Sequence, residues 1–235
     1  MKIPLFYSDL FIEKNVGSTS EREELLNIIL DLESKIKNKY KPLSKEDFAS
    51  SYSSQTSLCV DGNMRIDFFD NITNDVSLQF EWLSDAIEKI VDDAINNYVL
   101  LDDTYKSWVE KTEMSKQTLG MWIGIKQPKQ RVTLHEHKRS MLSFIYYLKA
   151  TDSGDIIFRN PSNTMAECNV LSPFVRPLSH PPEDGDLILF PSWIPHEVEV
   201  GLSDKKRITI AGDIDLDSNN IRNEKIIWTN LNIKF

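Results

Sequence analysis

The sequence is poor in cysteine and glycine and has no long apolar run, and each shortage excludes a class of protein. Its two cysteines, Cys59 and Cys168, are too few and too far apart for a disulfide framework. No apolar stretch approaches the roughly 20 residues of a membrane-spanning helix, and no secretory signal is recognisable. With eight glycines, the chain also lacks a glycine-rich phosphate-binding loop. We therefore expect a soluble, cytoplasmic protein without a backbone nucleotide site.

The charge balance argues against a nucleic-acid partner. The net charge is −9, whereas a protein that binds duplex nucleic acid without sequence preference needs a basic face. Basic residues do cluster around position 135, and they form either a solvated rim or a surface that attracts an anionic substrate or cosubstrate. These residues are Lys126, Lys129, Arg131, Lys138 and Arg139.

Histidine is scarce too, yet three of the four histidines fall in one arrangement. His135 and His137 are two apart in a predicted strand, so both point to one face and Glu136 points to the other. His196 follows a later turn, and we expect it on a strand that meets the pair across a barrel mouth. Neutral imidazole is the commonest protein ligand of transition metals. The pattern predicts a metal site of His135, His137 and His196 with open positions, as catalytic iron or zinc requires. On spacing alone, three unrelated polar residues remain an alternative.

A second group of polar residues is predicted to face the same interior. Arg207 comes eleven residues after His196 and shares a strand face with Thr209. A buried guanidinium beside a hydroxyl suits a bidentate contact with a carboxylate, although a surface arginine is the alternative. Tyr146 and Tyr147 alternate on their strand, so one should face the interior and one the helices. An interior tyrosine hydroxyl would add a hydrogen bond to the same carboxylate.

The N-terminal half is predicted to be helical. Apolar residues recur at helical spacing in two stretches, which predicts one helix over 21–39 and a longer one over about 75–100. Ser20 and Glu23 fit a capping box for the first helix. The Ser-rich run 50–57 is predicted to be a loop, which is either an ordinary surface loop or a lid over a substrate.

From residue 119 onward the pattern changes to short strands separated by turns, which is typical of a barrel or sandwich. We predict a mainly β fold with N-terminal helices (α+β): a single domain over 1–235, with a helical part over 1–118 that buttresses a barrel core over 119–216. Residues 104–117 should hold a further helical turn, and His180 should be a loop residue rather than a ligand. The strands are predicted at 121–125, 132–137, 141–149, 156–159, 170–177, 187–190, 196–200, 206–215 and 226–228, with a further extended segment near 1–11.

Several short motifs resemble those of the 2-oxoglutarate/Fe(II)-dependent oxygenases, and more narrowly a small oxygenase family common in marine phages and bacteria. The most specific is the Phe-Pro-Ser-Trp-x-x-His segment that ends at His196. The motifs are Ile3-Pro4-Leu5-Phe6, His135-Glu136-His137, Ser143 to Leu148, Gly185 to His196, and Arg207 to Ile210.

The resemblance implies a fold, a set of cofactors and an activity. It implies a double-stranded β-helix (a jelly-roll, cupin-like barrel) and a dioxygenase that couples 2-oxoglutarate decarboxylation to C–H hydroxylation. Iron(II) would be held by His135, His137 and His196, with no catalytic residue beyond these ligands. The far carboxylate of 2-oxoglutarate would pair with Arg207, helped by Tyr147 and Thr209.

The sequence departs from the family pattern at three positions. The wider superfamily usually has Asp or Glu where His137 stands, and Glu136 could replace it only through a strand bulge. In the phage family, proline is usual where Lys138 stands, and glycine is frequent where Phe144 stands. A neutral ligand at 137 leaves the site one charge more positive.

Two other functions stay open. One is a three-histidine, cupin-like metalloenzyme without 2-oxoglutarate, and the other is a non-catalytic barrel used for binding in a phage. For the oxygenase, the expected partners are 2-oxoglutarate and O2 as small molecules and an unidentified primary substrate, with no membrane and no duplex nucleic acid. The sequence is also compatible with a homodimer.

Overall fold

The computed structural model describes residues 9–37, 58–60, 63–68, 72, 80–99, 115–137, 140–161 and 177–217. These residues form two helices and eleven strands. In chain order the elements are β1 (Phe11–Glu13), α1 (Thr19–Lys37), β2 (Leu58–Val60), β3 (Asn63–Asp67), α2 (Glu81–Val99), β4 (Ser115–Lys126), β5 (Val132–His135), β6 (Leu142–Lys149), β7 (Ile156–Phe158), β8 (Leu178–His180), β9 (Leu187–Pro191), β10 (His196–Val198) and β11 (Arg207–Asp217).

The strands form two antiparallel sheets. The major sheet has seven strands in the order β1-β9-β6-β11-β4-β3-β2, and the minor sheet has four in the order β5-β10-β7-β8. The longest pairing joins β11 to β4 and places Arg207 opposite Lys126. The prediction of a mainly β fold with N-terminal helices is confirmed at this level.

Both helices pack on one face of the major sheet. The apolar stripes of α1 and α2 are buried against alternate residues of β4, β6 and β11, and each fully buried aliphatic side chain contributes about 1.5–3 kcal/mol. The residues of this outer core include Leu25, Ile29, Leu83, Ile87, Val91, Ile123, Phe144, Tyr146, Ile208 and Ile210. The predicted amphipathic helices are therefore confirmed.

The cap of α1 lies two residues earlier than predicted. The Ser18 hydroxyl accepts a hydrogen bond from the Glu21 amide at 3.3 Å, and the Glu21 carboxylate accepts one from the Ser18 amide at 2.7 Å. This is the reciprocal pattern of a capping box. The prediction of Ser20 with Glu23 was wrong because the run Ser18-Thr19-Ser20 offers three residues suited to this role.

A second apolar cluster fills the space between the two sheets. Tyr147 and Phe190 come from the major sheet, and Ile156 and Phe158 come from the minor sheet. The rings of Phe158 and Phe190 meet edge to face with centroids 5.0 Å apart. Side chains that point inward from either sheet therefore meet in one interior.

One local prediction was wrong: His180, predicted as a loop residue, ends β8. Two strand segments were not predicted. They are β2 and the residues Ser115 to Gln117 that open β4; the rest of the stretch expected to hold a helical turn, 104–114, lies outside the described residues. Pairing with a neighbouring strand gives these short segments their strand structure, and periodicity within one segment does not reveal such pairing. The Ser-rich run 50–57, residues 1–8 of the extended segment predicted near 1–11, residues 170–176 of the strand predicted at 170–177, and the strand predicted at 226–228 also lie outside the described residues.

Neither α1 nor α2, the two helices in the described ranges, is long and apolar enough to cross a membrane.

Candidate metal centre

Two of the three predicted histidines lie side by side in the minor sheet. His135 is the last residue of β5, and His196 is the first residue of β10. The two are paired directly in the strand register, and their ring centroids are 4.3 Å apart. We expected His196 to approach from across a barrel mouth. It comes instead from the adjacent strand of the same sheet.

His137 reaches the same point from just beyond β5. Its backbone amide donates a hydrogen bond to the Ser192 carbonyl at 2.9 Å, which fixes the chain after the strand ends. The His137 ring stacks on His135 with centroids 5.3 Å apart and lies 5.2 Å from His196. One nitrogen from each ring falls within 4.8 Å of the others. The geometry thus brings together all three residues that the sequence predicts.

Hydrogen bonds identify the nitrogen that each ring offers to a metal. Nδ1 of His135 lies 2.8 Å from the Thr133 carbonyl, and Nδ1 of His196 lies 3.0 Å from the Ile194 carbonyl. Nδ1 of His137 lies 2.5 Å from a carboxylate oxygen of Asp213. Because carbonyl and carboxylate oxygens only accept, each Nδ1 carries the proton. The ligand atom of each ring is therefore Nε2.

Burial keeps the imidazoles in the form that binds metals. His196 is 2% exposed. Burial, followed by the charge of His135, lowers the pKa of His196 to about 3. Burial also lowers the pKa of His135. Neutral imidazole is the metal-binding state, so at neutral pH no proton has to leave these two rings first.

The second predicted group lies further into the interior. Thr209 and Tyr147 are paired in register across β11 and β6, and Arg207 precedes Thr209 on the same face. Arg207 is 4% exposed, and its Nη2 donates to the Gly154 carbonyl at 2.8 Å. The prediction that this arginine faces the interior is confirmed, and the surface alternative is excluded.

Three buried polar atoms in this group have no hydrogen-bond partner among the residues that the structure describes. They are Nε and Nη1 of Arg207 and the hydroxyl of Tyr147. An unpartnered buried polar atom is rare and points to a missing ligand or water. Two guanidinium N–H groups and a hydroxyl are the donors that a carboxylate accepts.

Tyr146 shows the opposite orientation. Its hydroxyl donates to the Val16 carbonyl at 3.0 Å, and its ring meets Trp82 of α2 edge to face. The predicted division of the two tyrosines between interior and helices is confirmed.

Lys126 adds a cation to the Arg207 end of the interior. It is 8% exposed and stands opposite Arg207 in the strand register. Burial, and then the charge of Arg207, lowers the pKa of Lys126 from its usual 10.5 to about 7. Because Lys126 is buried, the alternative that the basic cluster forms a solvated rim does not hold for this residue. Lys138 and Arg139, from the same sequence cluster, lie outside the described residues.

Small residues separate the two ends of the site. Gly124 pairs with Thr209, and a methyl group added at Gly124 would lie 2.8 Å from the Thr209 hydroxyl oxygen. Ala211 follows toward the histidines, where Trp122 lies 5.7 Å from the His137 ring. At Gly124 and Ala211 the sheet floor between the triad and Arg207 therefore carries little side-chain volume.

Sequence reasoning missed two residues of the site and rightly set one aside. Asp213, which contacts His137, was not predicted, and Lys126 was predicted only as one member of a basic cluster. The alternation of side chains along β11 and β4 was the one sequence pattern that could have placed these two residues in the interior. His180 bonds to the buried Asp186 at 3.2 Å and is not part of the triad.

Comparisons with known proteins agree with this geometry. Residues 120–213 match the family model described as "Putative 2OG-Fe(II) oxygenase". No curated protein sequence matches the chain. The resemblance predicted from the motifs is confirmed, and iron(II) and 2-oxoglutarate, the predicted cofactors, are those that the family description names.

Solved structures share the fold at low sequence identity. The carbocyclase SnoK from nogalamycin biosynthesis, described as non-heme and alpha ketoglutarate dependent, has a TM-score of 0.58 at 11% identity, covering 89% of this chain and 80% of that one. A prolyl hydroxylase from Trichoplax adhaerens gives 0.54 at 13% identity, covering 89% and 83%. A Pseudomonas putida prolyl-4-hydroxylase gives 0.51 at 13% identity, covering 88% and 92%.

Proposed function

We propose that the protein is an iron(II)- and 2-oxoglutarate-dependent oxygenase that hydroxylates a C–H bond of its substrate. In this proposal His135, His137 and His196 hold the iron, while Arg207, Tyr147 and Thr209 bind the far carboxylate of 2-oxoglutarate. The two sheets form the walls of a double-stranded β-helix within one domain. The observation that carries the proposal is the pair of half-sites in one interior: an imidazole triad and a set of unpartnered carboxylate donors.

The donor set fits the metal. Three imidazole nitrogens on one side of an ion leave positions open for a chelating cosubstrate, and imidazole is a suitable ligand for iron. The Nδ1 protons of His135 and His196 are bonded to backbone carbonyls, which fixes each ring with Nε2 toward the centre. These rings need no reorientation to receive an ion.

The second half-site fits 2-oxoglutarate. The unpartnered groups belong to adjacent buried side chains, since the Arg207 guanidinium lies over the Tyr147 ring, and a carboxylate would satisfy them. The absence of a side chain at Gly124 leaves room beside the Thr209 hydroxyl. Iron(II) and 2-oxoglutarate together supply the chemistry, in which one atom of O2 enters the substrate and the other enters succinate, with release of CO2.

The surrounding side chains exclude water from the buried side of the centre. The Phe190 ring meets His196 edge to face at 4.8 Å, and Phe158 lies 6.0 Å from it. Water exclusion strengthens the electrostatic contacts of Arg207 with an anion. Hydroxylation is the reaction of the prolyl hydroxylases that share this fold, whereas SnoK, with the same fold, is a carbocyclase.

The test is an anaerobic titration with iron(II) followed by 2-oxoglutarate, monitored by visible absorption. A keto acid chelated to iron(II) gives a weak charge-transfer band. We expect the band in the wild-type protein, its loss in His196→Ala, and a much higher half-saturating 2-oxoglutarate concentration in Arg207→Ala. His180→Ala and Arg131→Ala are the matched controls, because His180 is outside the triad and Arg131 is exposed.

The other outcomes lead to different functions. Iron binding without the band would indicate a three-histidine, cupin-like metalloenzyme that does not use 2-oxoglutarate. No metal binding at all would indicate a binding barrel without catalysis. Release of succinate then reports turnover with candidate substrates. Hydroxylated product formed in a one-to-one ratio with succinate separates hydroxylation from uncoupled turnover, which releases succinate alone.

A further inference from the structure

A carboxylate and two buried serines lie directly behind His137. Asp213 of β11 accepts the Nδ1 proton of His137 at 2.5 Å. The same carboxylate oxygen accepts a hydrogen bond from the Ser143 hydroxyl at 2.8 Å. Ser143 and Ser192 are fully buried, and their hydroxyl oxygens are 2.7 Å apart. These contacts join β6, β11 and the segment after β9 at one ring.

This support differs from that of the other two rings. His135 and His196 each donate Nδ1–H to a backbone carbonyl two residues earlier in the chain. His137 donates to a side chain 76 residues away instead. A carboxylate is a stronger acceptor than a carbonyl, and it carries a charge that a carbonyl lacks. His137 is therefore the ring that donates its Nδ1 proton directly to an anionic side chain.

The strand path explains how Asp213 reaches the ring. Arg207, Thr209, Ala211 and Asp213 alternate onto the interior face of β11, and Asp213 pairs with Ser143 on β6. The register between β11 and β4 shifts immediately after Asp213. Such a bulge bends a strand and re-aims the adjacent side chain. Asp213 is thus the last interior residue before the strand changes its alignment.

We propose that Asp213 is the positioning residue of the metal centre, which orients His137 and supplies the negative charge that the three imidazoles lack. This inference rests on the proposed function, since it assigns Asp213 to the same metal. The carboxylate fixes the Nδ1–H tautomer of His137 and directs Nε2 toward the other two rings. Its charge also offsets part of the charge of a divalent ion. Ser143 holds the carboxylate in place from β6.

The hydrogen-bond acceptor and the charge make separable contributions. Asp213→Asn retains an oxygen that can accept the Nδ1 proton but removes the charge, whereas Asp213→Ala removes both. Outer carboxylates of metal-bound histidines typically change affinity by about 10–100-fold. We expect the Asn variant near the lower figure and the Ala variant near the higher one. Asp31→Asn is the control, because Asp31 forms an exposed helical ion pair with Lys35.

The first measurement is Co(II) affinity, followed through the visible absorption of the bound ion. Weaker binding in Asp213→Asn and Asp213→Ala, with Asp31→Asn unchanged, supports the inference. Equal affinities in all four proteins would overturn it while leaving the proposed function intact. If the wild-type protein binds no Co(II) or Fe(II), the proposed function fails and the inference fails with it. The same assay tests whether Asp213 binds the metal directly in place of His137. In that case His137→Ala would keep the wild-type Co(II) affinity, and the positioning role would be overturned; a weaker affinity in His137→Ala rejects the direct role.

The second measurement gives its main result on the wild-type protein. Nitrogen-15 NMR of the metal-free wild-type protein reports which nitrogen of each histidine carries the proton. We expect His137 in the Nδ1–H form, with that proton shifted downfield by its carboxylate partner relative to those of His135 and His196. A proton on Nε2 alone would overturn the inference. In Asp213→Asn the downfield shift should be lost, which a purely structural role for Asp213 does not require.

Discussion

The guanidinium of Arg207 lies over the ring of Tyr147, with its central carbon 5.2 Å from the ring centre. Both side chains are buried, and both retain donors that have no hydrogen-bond partner in the described part of the chain. A cation over an aromatic face is held in place by the ring quadrupole. The contact fixes the guanidinium while its Nε and Nη1 edge stays available to an anion. This arrangement gives a direct prediction for cosubstrate affinity.

Arg207→Ala should weaken 2-oxoglutarate binding by about 100-fold and Tyr147→Phe by about 10-fold, since a hydrogen bond to a charged group contributes about 1.5–3 kcal/mol. Arg207→Lys should recover little, because lysine lacks the planar pair of donors. The half-saturating 2-oxoglutarate concentration of the iron-loaded protein measures each effect. Iron affinity should stay unchanged in all three variants. A Tyr147→Phe protein with wild-type 2-oxoglutarate affinity would remove Tyr147 from the site.

Gly124→Ala should also weaken 2-oxoglutarate binding. The new methyl group would lie 2.8 Å from the Thr209 hydroxyl oxygen, so this side chain would have to move within the proposed binding space. We expect a loss of about tenfold, in line with one displaced charge-assisted hydrogen bond. Gly120→Ala on the same strand is the matched control, because a methyl group there meets no atom within 4 Å. Equal affinity in the two variants would show that no cosubstrate lies beside Thr209.

The parts of the site that follow from strand alternation could be predicted from the sequence. The shared face of Arg207 and Thr209 and the division of Tyr146 from Tyr147 depend on a side-chain period of two within one strand. This period is local, so it does not depend on a correct prediction of the whole fold. The same period was used to predict that His135 and His137 act together, although the strand ends at His135. The roles of these residues as metal ligands and as carboxylate donors stay predictions.

The parts that depend on register could not be predicted. The direct pairing of His135 with His196 is set by which strands are neighbours in the minor sheet. The contact of Asp213 with His137 depends on the alignment of β11 with β6 and on the bulge that follows Asp213. Neither the neighbouring strand nor a bulge is encoded by hydrophobic periodicity. Asp213 therefore looked like one of many acidic residues near the end of a strand.

Lys126 should make 2-oxoglutarate affinity depend on pH. Its pKa is lowered to about 7 in the folded protein, so it is mainly protonated at pH 6 and mainly neutral at pH 8. An adjacent carboxylate favours the protonated form. We therefore expect 2-oxoglutarate to bind more weakly as pH rises from 6 to 8, with proton uptake at the upper end.

Lys126→Met isolates this effect from the titration of other groups. The variant should bind 2-oxoglutarate more weakly than the wild type at pH 6, and the difference should shrink at pH 8. Calorimetry in two buffers of different ionisation enthalpy measures the proton uptake, which should disappear in the variant. Lys129→Met is the control, since Lys129 is exposed and paired with Asp204. Identical pH profiles for Lys126→Met and the wild type would contradict a role for Lys126 in anion binding.

Phe144 fits over Gly212, and this pair gives a prediction for stability. A methyl group at Gly212 would lie 2.6 Å from the Phe144 ring and 2.9 Å from the Gly120 carbonyl oxygen. Gly212→Ala should therefore lower the free energy of unfolding by about 1–3 kcal/mol through overpacking. Phe144→Leu should relieve part of that cost, so the two substitutions should be coupled in a double-mutant cycle. Urea denaturation of the four proteins measures the coupling, and simple additivity would show that the ring and the glycine do not constrain each other.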